Sequence, residues 1–277
     1  MLDTALLPLS LKESRNKIFS MANLLKNFGT TRIVLLHVLG GNNKRKKERV
    51  RKQIEEIANK YREIGFQVEM FFKEGSVANT VVNFATEMEV NYIALCWQKK
   101  WLIKRTLLGN IDADMIRMTD LPVFIYKKDY YLFKNWDLNK VLYATDFQGT
   151  DTKVMPYLKN KDFQADTLYF LHVGSRAPDP DTEKKRREKV DKQLQSLAEE
   201  CTQAYNRVEK LNVSGNVKNQ IVRKAKSRGV DLIVVGKQDK AKGWDQLLGS
   251  TAESLPHKAN CSIFIVPGMK TRRSVLV

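Results

Sequence analysis

Apolar and polar residues follow two alternating patterns along the chain. Short, mostly apolar runs, such as residues 31–38 (TRIVLLHV) and 232–235 (LIVV), predict strands that are buried on both faces. Longer charged segments carry apolar residues at helical spacing, and residues 44–65 are the clearest of these. Their apolar positions include Val50, Ile54, Ile57 and Tyr61. Strands that alternate with helices predict an α/β fold with a parallel sheet and helices on both of its faces.

The whole pattern occurs twice. Residues 75–96 align without a gap with residues 215–236, and the same offset aligns residues 121–126 with residues 261–266. A repeat of this length indicates duplicated domains rather than a solenoid. We predict two tandem doubly wound, Rossmann-like domains, each with a five-stranded parallel sheet, packed as a pseudo-dimer through their fifth strands. The predicted bounds are a first domain at 1–128, a linker at 129–139, a second domain at 140–269 and a basic tail at 270–277.

Composition fits a globular protein and excludes several other classes. Hydrophobic residues make up 43% and charged residues 29%, which excludes a disordered, collagen-like or disulfide-rich chain. No apolar run reaches the roughly 20 residues of a membrane span, and the N-terminus lacks the basic start of a signal peptide. Three cysteines without metal-like spacing indicate a reducing compartment. We therefore expect a cytoplasmic protein.

A formal net charge of +17 biases the surface toward anions. Nucleotides, nucleic acid and an acidic membrane surface are all attracted by such a surface. The basic helices predicted at 44–65 and 182–205 have a simpler interpretation as solvated faces. Because no recognised nucleic-acid-binding motif accompanies the charge, specific nucleic-acid binding is not expected.

The strongest candidate chemistry follows the fourth strand of the second copy. Gly236 ends the apolar run, and Gly249, Ser250 and Thr251 open the next predicted helix. Ligands of doubly wound sheets bind beyond the carboxyl ends of the strands, where the strand order reverses. Free backbone N–H groups at a helix start favour a phosphate. Asp146, at the end of the first strand, is placed to accept hydrogen bonds from a ribose or a base.

Each of these residues also has a purely structural interpretation. Gly236 fits a tight strand-to-loop turn, Ser250 fits a helix N-cap, and Asp146 fits a cap of the helix after it. His37 and His172 occupy equivalent positions in two LHV runs, which indicates packing or a backbone hydrogen bond rather than catalysis. Cys96, at a strand end, is interpreted as a small residue that fills space.

The spacing around Gly236 resembles the motif of the universal stress protein family, Gly-x2-Gly-x9-Gly-Ser/Thr after an apolar fourth strand. At the motif positions this chain has Gly236, Asp239, Gly249 and Ser250. The resemblance extends over both copies, so the chain resembles a tandem-domain member. Asp239 departs from the motif, because its carboxylate replaces the second glycine. We expect this charge to weaken polyphosphate binding by roughly 1 kcal/mol or more, which favours shorter phosphate tails.

The resemblance implies an adenine-nucleotide site in the second copy. Adenine would lie against apolar residues, Asp146 would contact the base or ribose, and glycines and hydroxyls would hold the phosphates. Independently of the resemblance, Lys237, Lys240 and Lys242 supply positive charge that would compensate the phosphates. The predicted site residues are Ala144, Asp146, Val173, Val235, Gly236, Lys237, Asp239, Gly249, Ser250 and Thr251. ATP, ADP and AMP are the expected ligands, with Mg²⁺ accompanying ATP. In the first copy only Gly109 survives, because the other motif positions are Ser10, Cys96, Lys99 and Asn110, and that site is expected to be lost.

Three functions remain as alternatives. The first is a nucleotide-binding regulator of the stress response, whose nucleotide state alters contact with an unknown protein partner. The second is a scaffold that binds no nucleotide and acts through protein partners. The third is a basic surface that binds nucleic acid or membrane. No nucleophile–base pair or metal-ligand cluster stands out, so no enzyme activity is expected, with slow ATP hydrolysis left open. A further homodimer of the whole chain is compatible with each alternative.

Overall fold

The computed structural model describes residues 1–40, 44–97, 111–127, 138–160, 163, 165–237 and 250–268. Most of the predicted linker and the whole predicted basic tail lie outside these residues. Among the residues described, every helix is too short or too polar to cross a lipid bilayer.

Strands and helices alternate in both halves of the chain. The first half contains β1 (Thr4–Pro8), α1 (Arg15–Asn27), β2 (Arg32–Leu39), α2 (Lys44–Ile64), β3 (Gln67–Glu74), α3 (Val77–Glu87), β4 (Tyr92–Cys96), α4 (Ile111–Met118) and β5 (Val123–Tyr126). The second half contains β6 (Lys140–Thr145), α5 (Asp151–Lys159), β7 (Thr167–Gly174), α6 (Pro180–Glu199), β8 (Arg207–Ser214), α7 (Val217–Arg228), β9 (Leu232–Lys237), α8 (Ser250–Lys258) and β10 (Ser262–Pro267). The predicted repeat of strand and helix is therefore present.

The ten strands of the described residues belong to one sheet, in the order β3-β2-β1-β4-β5-β10-β9-β6-β7-β8. Neighbouring strands are parallel within each half, as in the predicted doubly wound fold. β5 and β10 pair antiparallel, with Phe124 opposite Phe264, and this pairing joins the halves through their fifth strands as predicted. The strand order reverses between β1 and β4 and again between β6 and β9.

Two hydrophobic clusters cover the two faces of the sheet. Helices α1, α2, α5 and α6 pack on one face, called the α1 face here, and α3, α4, α7 and α8 pack on the other, the α3 face. Strand β2 shows the alternation, because Ile33 and Leu35 join the first cluster whereas Val34 and Leu36 join the second. Burial on both faces explains why these strands are uninterrupted apolar runs.

The junction between the halves has an aromatic core on the α1 face. The ring centroid of Phe28 lies 4.9 Å from that of Phe124, 5.2 Å from that of Phe163 and 6.0 Å from that of Phe264. Phe163 and Phe264 are 5.3 Å apart and both are buried. Each edge-to-face pair contributes about 0.5–1.5 kcal/mol beyond the area that it buries. Residues from both halves therefore share one core.

Candidate functional site

The candidate site lies at the carboxyl ends of β6 and β9, where the strand order reverses. Ala144 of β6 is opposite Leu171 of β7 on one side and opposite Val235 of β9 on the other. Asp146 directly follows β6, and Gly236 is the penultimate residue of β9. These strand ends therefore meet at a switch point, the place where doubly wound folds bind their ligands.

Three of the predicted residues form an apolar strip on the α3 face of this edge. Val235 is buried, whereas Ala144 and Val173 are half-buried and pack against the same cluster. Ala144 is opposite both Val235 and Leu171, and Val173 lies two residues beyond Leu171 on β7. Residues two apart on a strand point to the same side, so the three side chains share one face. Ala144 and Val173 keep part of their apolar surface exposed at this edge, whereas Val235 is already covered.

Asp146 lies at the exposed start of the loop between β6 and α5. Its carboxylate accepts a hydrogen bond from the backbone N–H of Gln148 at 3.0 Å, which is an Asx turn. The N-cap position of α5 is Thr150, so the interpretation of Asp146 as the cap of that helix is wrong. The structure thus places an exposed carboxylate at the end of β6, one residue beyond Thr145.

A hydrogen-bond network below this loop holds it in place. The Asp151 carboxylate, in the first turn of α5, accepts from the hydroxyl of Tyr143 and, at 2.7 Å, from that of Thr145. The Thr145 oxygen in turn accepts from the backbone N–H of Phe147 at 3.0 Å. Burial, together with the nearby Asp151 carboxylate, raises the pKa of Tyr143 above its ordinary value. The phenol therefore stays protonated and continues to donate.

Phe147 and His172 fix the loop on the α1 face. Phe147 has a left-handed backbone, with φ of 58°, and its ring stacks on His172 with centroids 4.7 Å apart. His172 Nδ1 donates to the carbonyl of Thr145 at 3.1 Å, and His37 Nδ1 donates to the carbonyl of Leu9 at 2.7 Å. Both histidines thus make the kind of backbone hydrogen bond that their duplicated position predicted.

Gly236 accommodates a neighbouring side chain. A Cβ built on Gly236 would lie 2.5 Å from both Cβ and Oγ1 of Thr150, which is buried at the start of α5. Gly236 lies inside β9, paired with Val266 of β10, so the tight-turn interpretation is wrong. The absence of a side chain at Gly236 is required by packing on the α1 face.

Lys237 points across the junction into the first half. It is buried, and Nζ donates to the carbonyl oxygens of Ile116 and Arg117 at 3.0 Å and of Thr119 at 3.4 Å. These carbonyls lie at the C-terminal end of α4, where backbone acceptors lack helical partners and the helix dipole favours a cation. The expectation that Lys237 offsets phosphate charge is therefore corrected, because its ammonium group is held by α4.

The phosphate-binding part of the predicted site is only partly described. Helix α8 begins at Ser250, where the Gly-Ser-Thr cluster predicted a helix start, and Thr251 is half-buried in its first turn. Asp239 and Gly249 lie outside the described residues. Within the described ranges, no group of three His, Cys, Asp or Glu side chains could hold a metal ion. What the structure provides here is a helix N-terminus, whose dipole favours an anion.

Two polar side chains at the equivalent edge of the first half bond to neighbouring groups of the same half. Lys17 of α1 donates to the carbonyl of Trp97, directly after β4, at 2.7 Å. Ser10, which replaces the strand-end aspartate, donates to Glu13 at 2.7 Å. Cys96, in place of the first motif glycine, ends β4 and is half-buried. The substituted positions Lys99 and Asn110 and the retained Gly109 lie outside the described residues. The expected loss of a nucleotide site in this half stays a prediction.

A charged cluster at the start of α6 was missed by the sequence reasoning. The Glu183 carboxylate accepts from Arg186 at 2.8 Å, from Arg187 at 2.7 Å and from the backbone N–H of Ala177 at 2.9 Å. Hydrogen bonds from the two arginines hold the pKa of Glu183 well below its ordinary range. Arg186 also reaches Ser214 of β8 at 3.3 Å. Glu183 precedes the two arginines by three and four residues, a spacing that brings side chains together on one side of a helix. This spacing in the sequence could have predicted the ion pairs.

Known proteins resemble the chain in sequence and in fold. The model of the universal stress protein family matches residues 138–267. Universal stress protein MJ0577 of Methanocaldococcus jannaschii is 24% identical over 151 residues, which are 46% of this chain and 93% of that protein. A universal stress protein from Archaeoglobus fulgidus is 22% identical and covers 96% of both chains with a TM-score of 0.74. The last likeness shows the fold of the whole chain.

A second Archaeoglobus fulgidus universal stress protein was solved in complex with dAMP. It is 16% identical, covers 45% of this chain and 98% of its own, and has a TM-score of 0.36. The bound nucleotide is a property of that protein.

Proposed function

We propose that this chain, a member of the universal stress protein family through its domain at residues 138–267, binds one adenine nucleotide at the β6–β9 switch point. The observation that carries the proposal is the apolar strip of Ala144, Val173 and Val235 beside the exposed carboxylate of Asp146. A purine ring on the strip would be stabilised by about 25 cal/mol for each Å² of apolar surface buried. Asp146 would accept hydrogen bonds from the ribose hydroxyls or the adenine amino group.

The phosphate group would bind at the N-terminus of α8, which begins at Ser250, and the hydroxyl of Thr251 would add a donor. The proposed site favours a nucleotide with one phosphate over a nucleotide with three, for two reasons. The ammonium group of Lys237 is bound to carbonyl oxygens of α4 and is not turned toward a phosphate. Asp239 adds a negative charge within the motif. AMP is therefore the preferred ligand, ADP is next, and ATP with Mg²⁺ is the weakest.

The proposed role is that of a cytoplasmic regulatory protein of the stress response rather than an enzyme. Nucleotide occupancy would change how the chain contacts a protein partner. The first half, with Lys17 bound to the Trp97 carbonyl at its corresponding edge, would serve as structural support and as the surface that responds.

A scaffold that binds no nucleotide is the second candidate, and two contacts favour it. Thr150 already packs against Gly236, and Lys237 is already bound to α4. Gly236 and Lys237 therefore both have structural roles that do not require a ligand.

Thermal unfolding of ligand-free protein distinguishes the two candidates. AMP at 100 times its Kd should stabilise the native state by about 2.7 kcal/mol and raise Tm accordingly. Asp146→Ala should abolish the rise. Ser10→Ala, at the matching exposed position of the first half, should retain it. No rise with millimolar AMP, ADP or ATP would reject nucleotide binding in favour of the scaffold. A rise that persists in Asp146→Ala would place the ligand elsewhere.

A further inference from the structure

Arg117 of the first half contacts both elements of the second half that flank the proposed nucleotide site. Its guanidinium group donates to Glu253 in the first turn of α8 and, at 3.2 Å, to Asp114 on its own helix. Its carbonyl oxygen accepts from Lys237 Nζ, at the end of β9, at 3.0 Å. A single residue of α4 is thus bonded to the strand that ends at the site and to the helix that begins there.

The last turn of α8 is held from the first half as well. Lys127, directly after β5, donates to the carbonyl oxygen of Pro256 at 2.7 Å and to that of Ala259. The rings of Trp97 and His257 meet edge to face with centroids 4.9 Å apart. Helix α8 is therefore held by the first half at both ends, and Arg117 holds its first turn.

We propose that Arg117 is a positioning residue that couples nucleotide occupancy in the second half to helix α4 in the first half. The inference rests on the proposed function, because it needs a phosphate at the start of α8. The pair of Arg117 and Glu253 contributes to where the first turn of α8 lies, so the pair and the phosphate depend on the same position of α8. If Arg117 favours the position that binds nucleotide, the nucleotide must favour the contact with Arg117 by the same factor.

This coupling gives the degenerate first half a function. Helix α4 would register whether the second half holds a nucleotide, through one ion pair and one carbonyl oxygen. Both groups of the ion pair are about one third exposed, with 36% for Arg117 and 37% for Glu253, so the pair can break without exposing the core.

Hydrogen–deuterium exchange of the full chain tests the coupling, with peptides that cover residues 111–119 of the α4 region and residues 250–258 of α8. The variants are Arg117→Leu and the charge swap Arg117→Glu with Glu253→Arg. Lys159→Leu is the matched control, because it breaks another partly exposed ion pair, to Glu200 on the α1 face of the second half.

In nucleotide-free protein, Arg117→Leu should speed exchange in α8 by about two- to fivefold, the range expected of a partly exposed ion pair, and Lys159→Leu should not. AMP should slow exchange in α4 of the wild type but not of Arg117→Leu. The affinity of Arg117→Leu for AMP should fall by about two- to fivefold, and the charge swap should restore both affinity and coupling.

Two results would overturn the coupling while leaving the proposed function intact. The first is AMP binding to the wild type without any change of exchange in α4. The second is an equal change of exchange in the wild type and in Arg117→Leu. If AMP does not raise Tm of the wild type at all, the proposed function fails, and the coupling fails with it.

Discussion

The side chain of Thr150 lies against Gly236 so closely that a methyl group at position 236 would be 2.5 Å from the Thr150 Cβ. Carbon atoms in ordinary contact are about 3.5–4.0 Å apart. The two residues come from the start of α5 and the end of β9, at the switch point itself. A glycine in the motif therefore has a packing role whether or not a nucleotide binds, and a larger residue there damages the fold before it tests ligand binding.

Gly236→Ala should lower the free energy of unfolding by about 1–3 kcal/mol, as overpacking does, even in nucleotide-free protein. Thr150→Gly removes the clashing atoms, so the double variant should be more stable than the sum of the single effects predicts. Urea denaturation measures the free energy of unfolding of the two single variants and of the double variant. Gly40→Ala is the control, because a Cβ at Gly40 meets nothing within 4 Å. Strictly additive effects at the two sites would contradict the packing role.

Lys237→Met should destabilise the chain, because three carbonyl oxygens at the end of α4 lose their shared donor. Leaving buried acceptors unsatisfied costs about 1–3 kcal/mol. Lys192→Met, at an exposed position of α6, should change stability by less than about 0.5 kcal/mol. Calorimetry of both variants checks this, and a Lys237→Met protein as stable as the wild type would contradict the capping role.

Most of the architecture follows from the repeat and from hydrophobic runs. The run at 232–235 predicts a strand ending near Gly236, and the structure has β9 at Leu232–Lys237. The match of residues 121–126 with residues 261–266 predicts equivalent fifth strands, and these pair at the junction. Strand positions are predictable because burial on both faces leaves a local signal in the sequence.

The directions of site side chains were not predictable in the same way. The sequence predicts Lys237 to be a phosphate-binding residue. Its hydrogen-bond partners are instead carbonyl oxygens that lie 118 to 121 residues earlier in the chain. The contact of Thr150 with Gly236 also joins distant segments. Such contacts depend on how elements pack across the sheet, and no local pattern of residues encodes them.

Stability should depend on Glu183 in a pH-dependent way. Its pKa is depressed in the folded state by Arg186 and Arg187, so the stabilisation is present above the ordinary glutamate value of about 4.5 and is lost as pH falls below it. Glu183→Gln should therefore be less stable than the wild type at pH 7, and the difference should narrow below pH 4. Urea denaturation midpoints of the wild type and of Glu183→Gln, taken from pH 7 to below pH 4, measure this difference in stability. Glu188→Gln, exposed on the same helix, should show no such trend, and a constant gap for Glu183→Gln would refute the pairing.

The three cysteines should differ in reactivity. Burial, with a smaller effect from Glu200, raises the pKa of Cys201 to about 12, and Cys261 is also buried. Cys96 is half-buried, with its sulfur 3.7 Å from that of Met21, which fits the predicted space-filling role. Iodoacetamide at pH 8 should leave Cys201 unmodified in native protein and modify it in urea, as mass spectrometry of peptides can show.

The raised pKa of Cys201 also affects stability at alkaline pH. Its ordinary value is 9.0, so the contribution to stability is present below pH 9 and is lost as pH rises toward 12. In the labelling experiment, rapid modification of Cys201 by iodoacetamide in native protein at pH 8 would contradict the burial of this thiol.

Isothermal titration of ligand-free protein with AMP tests the central claim most directly, because it counts the sites. The account predicts one site per chain in the wild type and in Ser10→Ala, and none in Asp146→Ala. Two equal sites, or no binding at millimolar AMP, would contradict it.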